Sequence, residues 1–241
     1  SEIFDRKRIL KWLNSRRKSL KIGTRISLYT SLFLVALGAC MFFFLEQENS
    51  LNGMSMKGQL ITSLFQSISA RTAGFNTVDF SSIGIPMLII FIFLMFIGAS
   101  PGSTGGGIKT STFTLIIYSA INTIRGNKKI EIGGRSISSE LLNKAFSIFL
   151  FSTAFMFISI FILSITDGGL GIMAITFETV SAFSTVGLTT GITTELSLAG
   201  RIVIMICMFV GRIGTLTLAF ALSTKVKTNN YEYPKAHISV G

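Results

Sequence analysis

Two stretches of the chain resemble each other, and their residue types suit the binding of a dehydrated cation. The first runs from Phe65 to Thr77, and the second runs from Phe177 to Thr190 with one residue inserted. Both contain Phe, a Ser-Ala pair, a Thr two places before a Gly, and a closing Thr. Each stretch predicts a short helix that leads into an extended segment able to aim backbone carbonyls at an ion.

Each extended segment supplies two kinds of oxygen ligand. A potassium ion gives up its water only where other oxygens replace it, and rings of backbone carbonyls do this in channels. Gly74 and Gly187 permit the dihedral angles of such a path, and the hydroxyls of Thr72 and Thr185 can add further oxygens. A single Thr-x-Gly is a weak signal, whereas two copies that each follow a short apolar helix are a strong one.

The composition points to a membrane protein. Of 241 residues, 49% are hydrophobic and only 14% are charged, whereas a soluble domain has about a quarter of its residues charged. The mean hydropathy is +0.63. Cys40 and Cys207 both lie inside apolar runs, too few for a disulfide framework or a metal site.

The net charge of +11 excludes neither a membrane nor a nucleic-acid partner, but its distribution decides between them. Nine basic residues lie in the first 25 positions, five more lie between two apolar segments, and three lie in the tail. Basic blocks that flank every other apolar segment are typical of cytoplasmic loops. We therefore expect no nucleic-acid partner and a multi-pass protein of the cell membrane with cytoplasmic termini. The charged start also argues against a signal peptide.

The apolar runs occur in the same order twice. The predicted runs are residues 26–45, 58–70, 83–97 continuing at 108–124, 145–165, 171–182 and 198–223. We expect an all-α integral membrane fold of two tandem repeats, each a spanning helix, a re-entrant pore helix, a filter and a spanning helix of a potassium-channel-like pore. A generic helix bundle with two glycine-rich outer loops is the weaker alternative.

The predicted segments follow from these runs. They are a cytoplasmic basic segment 1–25, a first pore repeat 26–124 with its filter at 72–77 and an intramembrane loop at 98–107, a cytoplasmic linker 125–144, a second pore repeat 145–223 with its filter at 185–190, and a cytoplasmic tail 224–241.

The intramembrane loop is predicted from length. Residues 83–124 would form a helix about 63 Å long, which is about twice the thickness of a bilayer core. The run must therefore break at the glycine-rich residues 98–107. Irregular backbone at membrane depth is tolerated only where protein buries it or where it lines a water-filled cavity.

Two cations near this loop leave alternatives open. Arg212 could pair with Glu178, bind the carbonyls of the loop, repel cations in the pore, or snorkel to the cytoplasmic edge. Lys109 could place its charge at the cavity or lie at the interface. We favour a functional role for Arg212 and leave Lys109 undecided.

Two enzyme motifs occur and are rejected. Gly98–Gly102 satisfies the G-x-S-x-G pattern of hydrolases, but a helix precedes it and the only histidine is His237 in the tail. Gly102–Thr110 is similar to a phosphate-binding loop, yet Ile108 separates Gly107 from Lys109. We expect no enzyme activity.

Three motifs together carry a family resemblance. The segments Ser69–Thr77, Gly98–Thr110 and Phe209–Gly214 resemble the Trk/Ktr/HKT superfamily of potassium transporters, and most closely its KtrB and TrkH type of membrane subunit. That family carries four such repeats in one polypeptide around a central pore, and this chain is similar to the third and fourth. Neither filter copy has the Thr-Val-Gly-Tyr-Gly of potassium channels, which predicts looser selectivity for potassium over sodium.

The resemblance implies roles for the matching residues. The filter positions it implies are Thr72, Ala73, Gly74, Phe75, Asn76, Thr185, Val186, Gly187, Leu188 and Thr189. The gating positions it implies are Gly98, Ser100, Gly102, Gly105, Gly106, Gly107, Lys109 and Arg212. In the family the loop obstructs the pore below the filter and moves to open it.

The resemblance also implies ions and partners. Potassium is the expected substrate and is held at the filter only, sodium is a candidate coupling or modulating ion, and no covalently bound cofactor is expected. The implied partners are membrane lipids, the N-terminal half of the transporter, a second copy of the membrane subunit, and a cytosolic nucleotide-binding regulatory ring.

Two repeats supply only half of a four-part filter. Either another half lies outside this chain, or two copies close one pore. We favour the first, because the charged start without Met resembles an internal boundary. The alternative function is a non-conducting regulatory or assembly membrane fragment.

Overall fold

The chain folds into seven helices and one very short hairpin in the part that the structure describes. This computed structural model describes residues 22–126, 131–132 and 135–214. The α-helices are α1 Ile22–Leu45, α2 Met56–Ser69, α3 Ile85–Phe96, α4 Thr110–Ile124, α5 Ser139–Thr166, α6 Ile172–Phe183 and α7 Leu198–Ile213. Single 3-10 turns occupy Phe80–Ser82, Gly168–Leu170 and Ile192–Thr194. The predicted basic segment up to residue 21, the end of the second repeat from residue 215 and the tail lie outside the described residues.

The fold is helical, with one small departure from the all-α prediction. Within the predicted linker, β1 (Glu131–Ile132) pairs antiparallel with β2 (Arg135–Ser136). Each strand has two residues, so the hairpin adds little to the helical architecture.

Two of the described helices are long and apolar enough to cross a bilayer, by length and composition alone. They are α1, with 24 residues, and α5, with 28. Many of their large apolar side chains are exposed, and Leu32 and Phe157, for example, are 71% and 70% exposed. The helix α5 begins at Ser139 rather than near Ala145. Residues such as Glu140 and Leu141 are good helix formers, so the helix extends beyond the apolar run.

The remaining α-helices are shorter. Helix α3 ends at Phe96 and α4 begins at Thr110, on either side of the glycine-rich segment. Helix α7 ends at Ile213, where Gly214 caps it with a φ of 91°. Arg212 is therefore in the last turn of α7, and the rest of the run predicted up to residue 223 lies outside the described residues.

One hydrophobic core joins the two halves of the chain. Helix α1 packs on α2, α3 and α4, and α3 also packs on α6. The ring of Phe80 lies 5.2 Å from Phe91 and 5.7 Å from Phe177, measured between centroids. Because Phe91 belongs to α3 and Phe177 to α6, this aromatic contact holds α3 and α6 on a common core.

A polar clamp connects α5 to α7 at the turn that follows α5. The carboxylate of Asp167 accepts hydrogen bonds from Thr166 Oγ1 at 2.6 Å, Ser197 N at 2.6 Å and Ser197 Oγ at 3.0 Å. Gly200 lies against the same carboxylate, where a Cβ would overlap Oδ2. The Thr166 hydroxyl, with Ser197, lowers the pKa of Asp167.

The Asp167 clamp gives a pH-dependent prediction. A carboxyl whose pKa is lowered by folding contributes stability above its unfolded pKa of about 3.9, and that stability is lost as the pH falls toward the lowered value. Asp167→Asn should therefore lower the melting temperature in detergent by a few degrees at pH 7, with the difference shrinking below about pH 4. A difference in melting temperature that did not change with pH would contradict a stabilising role for the Asp167 carboxylate.

Candidate functional site

The two Thr-x-Gly segments share an unusual backbone conformation. Among the described residues, Thr72 (φ 76°) and Thr185 (φ 55°) are the only non-glycine residues with positive φ. Two places later, Gly74 and Gly187 have φ of 74° and 92°. A left-handed conformation costs a non-glycine residue about 1–2 kcal/mol, so the surrounding structure must hold both threonines. Residues with alternating signs of φ turn the N–H groups of successive peptides toward the same side of the chain.

The N–H groups of both segments point back to the helices that precede them. The Ser69 carbonyl at the end of α2 accepts from Ala73 N and Gly74 N, both at 3.1 Å. In the second copy, Ser181 O accepts from Val186 N at 2.9 Å and Ser181 Oγ from Gly187 N at 3.2 Å. Three of these four bonds use the Ser69 and Ser181 carbonyls, which lie near the helix ends where carbonyls lack partners within the helix, and the fourth uses the Ser181 hydroxyl.

This arrangement decides where the carbonyls point. In a planar trans peptide the C=O lies opposite the N–H of the next residue. Since the N–H groups of Ala73, Gly74, Val186 and Gly187 face α2 or α6, the preceding carbonyls point away from those helices. They belong to Thr72, Ala73, Thr185 and Val186.

The outer residues of the predicted filter are placed differently. The Phe75 carbonyl accepts from Ser69 Oγ, and the Phe75 ring is 70% exposed. Asn76 is exposed and donates to Val78 O at 3.3 Å. Leu188 is buried, and Thr189 Oγ1 lies 2.9 Å from Thr193 Oγ1. The inner positions, residues 72–74 and 185–187, therefore have matching conformations. The outer positions, residues 75–76 and 188–189, differ between the two copies.

The two segments meet at Gly74. A Cβ added to this glycine would overlap the carbonyl oxygen of Val186 and lie 3.4 Å from Gly187 Cα. At Gly187, by contrast, a Cβ would meet nothing within 4 Å. The structure thus brings the backbones of the two segments into direct contact on one side of the pair.

The glycine-rich loop lies against both segments. A Cβ added to Gly105 would lie 3.0 Å from Thr72 Cγ2. Gly106 N donates to Thr185 Oγ1 at 2.7 Å. Gly106 also packs on the Phe183 carbonyl, which leaves no room for a side chain. Gly106 is therefore required here by close approach of the backbone rather than by flexibility alone, and Gly105 and Gly107 lie in tight contact on either side of it.

The other half of the loop forms an exposed turn. Ser103 N donates to Ser100 O at 3.1 Å, and Gly102 has a φ of 85°. Pro101 and Gly102 thus occupy the central positions of a turn that favours these residue types. The Pro101–Thr104 stretch is exposed. Of the predicted gating residues, Ser100 and Gly102 form this turn and do not reach Thr72 or Thr185.

The cationic side chains of two predicted gating residues, Lys109 and Arg212, donate hydrogen bonds to carbonyls of the loop. Lys109 Nζ donates to Ser103 O at 3.2 Å and to Gly105 O. Arg212 Nη1 donates to Thr104 O. Of the alternatives weighed for Arg212, this contact corresponds to binding of the loop carbonyls. Glu178 instead accepts from Thr193 Oγ1.

A cavity of about 430 Å³ adjoins the second segment. Its lining includes Thr185–Thr189, Glu178, Met208 and Arg212. Glu178 is only 6% exposed, and its Oε2 has no hydrogen-bond partner in the described part of the chain. The cavity lies on the side of the second segment that the first segment does not cover.

Sequence reasoning missed the role of Arg71. Its Nη2 donates to Gly98 O at 3.1 Å and to Ser31 Oγ at 3.3 Å. Arg71 directly precedes Thr72, so it ties the start of the glycine-rich loop to the first segment and to α1. A lone charge between two apolar runs was the signal that could have found it.

Sequence reasoning also missed a buried brace behind the first segment. Gln66 of α2 is fully buried, and its Nε2 donates to Thr77 Oγ1 at 2.9 Å. Glu178 of α6 is the matching residue in the second copy, and it reaches Thr189 only through Thr193. A polar residue after Phe in both repeated segments was the available signal.

Comparison with known proteins assigns the family. The TrkH family, described as cation transport protein, matches residues 7–233 of the chain. The chain belongs to the TrkH family. That description names a transporter and not a class of enzyme, and it supports the assignment of the apolar helices to a membrane.

Similar proteins are named as potassium transporters. Ktr system potassium uptake protein B of Bacillus subtilis is 40% identical over 230 residues, which cover 95% of this chain and 51% of that protein. Potassium/sodium uptake protein NtpJ of Enterococcus hirae is 34% identical over 236 residues, covering 94% of this chain and 51% of that protein. The chain spans about half the length of the curated relatives it matches.

A solved structure supports the fold. The potassium transporter TrkH from Vibrio parahaemolyticus superposes with a TM-score of 0.69 and 20% sequence identity. The match covers 82% of this chain and 44% of that chain. At this identity the likeness shows the fold alone, and it confirms the prediction of a helical membrane transporter fold.

The contact between the two segments gives a prediction about the glycines. Gly74→Ala and Gly187→Ala both place an alanine at positive φ, but only the first meets the Val186 carbonyl. We expect Gly74→Ala to cost about 1–3 kcal/mol more stability than Gly187→Ala. Thermal unfolding of both variants in detergent measures the difference. Equal losses would mean that the segments are not in contact.

Proposed function

We propose that this chain forms two of the four walls of a potassium pore in the cell membrane. The observation that carries the proposal is the pair of Thr-x-Gly segments in matching conformation, in contact at Gly74 and Val186, with one glycine-rich loop against both. Carbonyls that point away from the short helices are the ligands a dehydrated potassium ion needs. The printed names of the relatives support potassium as the ion.

The proposed filter keeps all ten predicted positions, with the inner ones doing most of the binding. Thr72, Ala73, Thr185 and Val186 offer carbonyls turned away from α2 and α6, and the two threonines add hydroxyls. The positive φ of Gly74 and Gly187 allows the backbone to follow this course. Phe75, Asn76, Leu188 and Thr189 form the outer end, where the two copies differ.

The proposed gate is the glycine-rich loop. Gly105, Gly106 and Gly107 occupy the space next to the inner threonines, where they obstruct the path of an ion. Gly98 anchors the loop through Arg71, and Arg212 and Lys109 hold its carbonyls. Ser100 and Gly102 shape the exposed turn.

The proposed assembly completes the pore from outside this chain. The uncovered cavity beside the second segment is where another wall would pack, which favours an N-terminal half over a pore made by this chain alone. Relatives described as parts of a Ktr system support further components, for which we propose a second membrane subunit and a cytosolic nucleotide-binding ring. The name of NtpJ supports sodium as a second or modulating ion. The proposed membrane topology is multi-pass with cytoplasmic termini.

Reconstitution tests the function. We expect the chain alone in potassium-loaded liposomes to show no potassium flux, because half of the filter ligands are missing. Co-reconstitution with the N-terminal half of a homologous transporter should restore flux, with rubidium accepted and lithium excluded. Flux from the chain alone would contradict the missing half. No flux from the folded combined protein would favour a regulatory or assembly role.

The loop gives a prediction about gating in the combined protein. Arg212→Gln removes the donor to Thr104 O and should raise the resting flux several-fold, because one charge-assisted bond contributes about 1.5–3 kcal/mol. Deletion of Gly105–Gly107 should raise it further.

The matched control is Arg201→Gln on the same helix. Arg201 donates to Leu196 O and Thr194 O and does not contact the glycine-rich loop. Its resting flux should equal that of the parent. Unchanged or lower flux from a stably folded Arg212→Gln protein would argue that the loop is a scaffold.

A further inference from the structure

The glycine-rich loop and the second segment share one hydrogen bond. Gly106 N donates to Thr185 Oγ1 at 2.7 Å. Gly106 is buried there between Thr185 Cγ2, the Phe183 carbonyl and the Gly211 carbonyl, each about 3 Å or less from where its Cβ would be. The bond is therefore enclosed by the protein, where a hydrogen bond is stronger than in water.

The same oxygen belongs to the proposed inner end of the filter. Thr185 begins the segment and is held in a left-handed conformation with a φ of 55°. A cation and an N–H proton are both attracted to the lone pairs of a hydroxyl oxygen and repel each other. Each therefore weakens the binding of the other.

We propose that Thr185 Oγ1 is a shared ligand, bound by the Gly106 N–H when the loop is docked and by the innermost potassium ion when the loop leaves. The inference rests on the proposed filter and deepens it, because it adds a direct coupling between ion occupancy and the gate. By linkage, a docked loop lowers the affinity of the inner site, and an occupied inner site disfavours docking by the same factor.

The two copies differ in this respect, which makes the inference specific. Thr72 is the matching threonine of the first copy, with the same left-handed conformation. Gly105 packs against its side chain, while the first segment is tied to the loop by Arg71 and Gly98 O. The loop thus has one tether to each segment, and the second tether uses a filter ligand.

A double-mutant cycle tests the coupling in the combined protein that conducts potassium. Potassium binding is measured by titration calorimetry for the parent and Thr185→Val, each with the loop intact and with Gly105–Gly107 deleted. We expect the deletion to tighten potassium binding about fivefold in the parent, as loss of one competing hydrogen bond implies. In Thr185→Val the deletion should change the affinity less than twofold.

Thr72→Val is the matched control. Because Thr72 does not bond to the loop backbone through an N–H in the described contacts, the deletion should still tighten binding about fivefold in this background. Equal effects of the deletion in the two valine variants would overturn the inference, as would no effect in the parent. Absence of both flux and potassium binding in every variant would instead overturn the proposed function.

A second measurement keeps the loop intact. Ser103→Cys places a thiol on the exposed turn, in a Cys40→Ala background because Cys40 is exposed and Cys207 is buried. Replacing N-methylglucamine with potassium should increase the mobility of a nitroxide label attached to this thiol, in the parent and in Thr72→Val. A potassium effect that persists in Thr185→Val would overturn the inference.

Discussion

Three stretches of irregular backbone, residues 72–77, 98–107 and 185–190, lie between the apolar helices. A polar backbone group that is buried there must find a partner within the protein. The ends of α2 and α6 supply it, since the Ser69 and Ser181 carbonyls accept the N–H groups of the extended segments. The rest of the site depends on this constraint, because it turns the carbonyls of Thr72, Ala73, Thr185 and Val186 away from those helices.

The same constraint explains the glycines and the cations around the loop. The loop has few side chains of its own to satisfy its carbonyls, so Arg71, Lys109 and Arg212 donate to Gly98, Ser103, Thr104 and Gly105 from outside it. Gly106 and Gly107 approach the second segment so closely that a Cβ would require movement. The loop is thus held by a few polar contacts to groups from separate segments of the chain, which suits its proposed role as a gate.

Much of the fold followed from the sequence because hydropathy and repetition are local signals. The helical membrane class, the two short helices and the interruption between α3 and α4 all correspond to runs and breaks visible in the residues. The start of α5 did not follow, since polar helix formers extend it to Ser139, and neither did the cap at Gly214 after α7. The functional assignment of the filter and loop positions remains a proposal.

The sequence by itself determined which residues repeat and which segments cannot be helical, because these depend on residue type and spacing. Only the tertiary structure decided which groups meet. It placed Gly74 against Val186, gave Arg71 to Gly98, and bound Thr185 but not Thr72 to the loop backbone. The physical reason is that two similar segments pack against different neighbours, and hydrogen-bond partners separated by 79 positions are fixed by packing, not by local sequence.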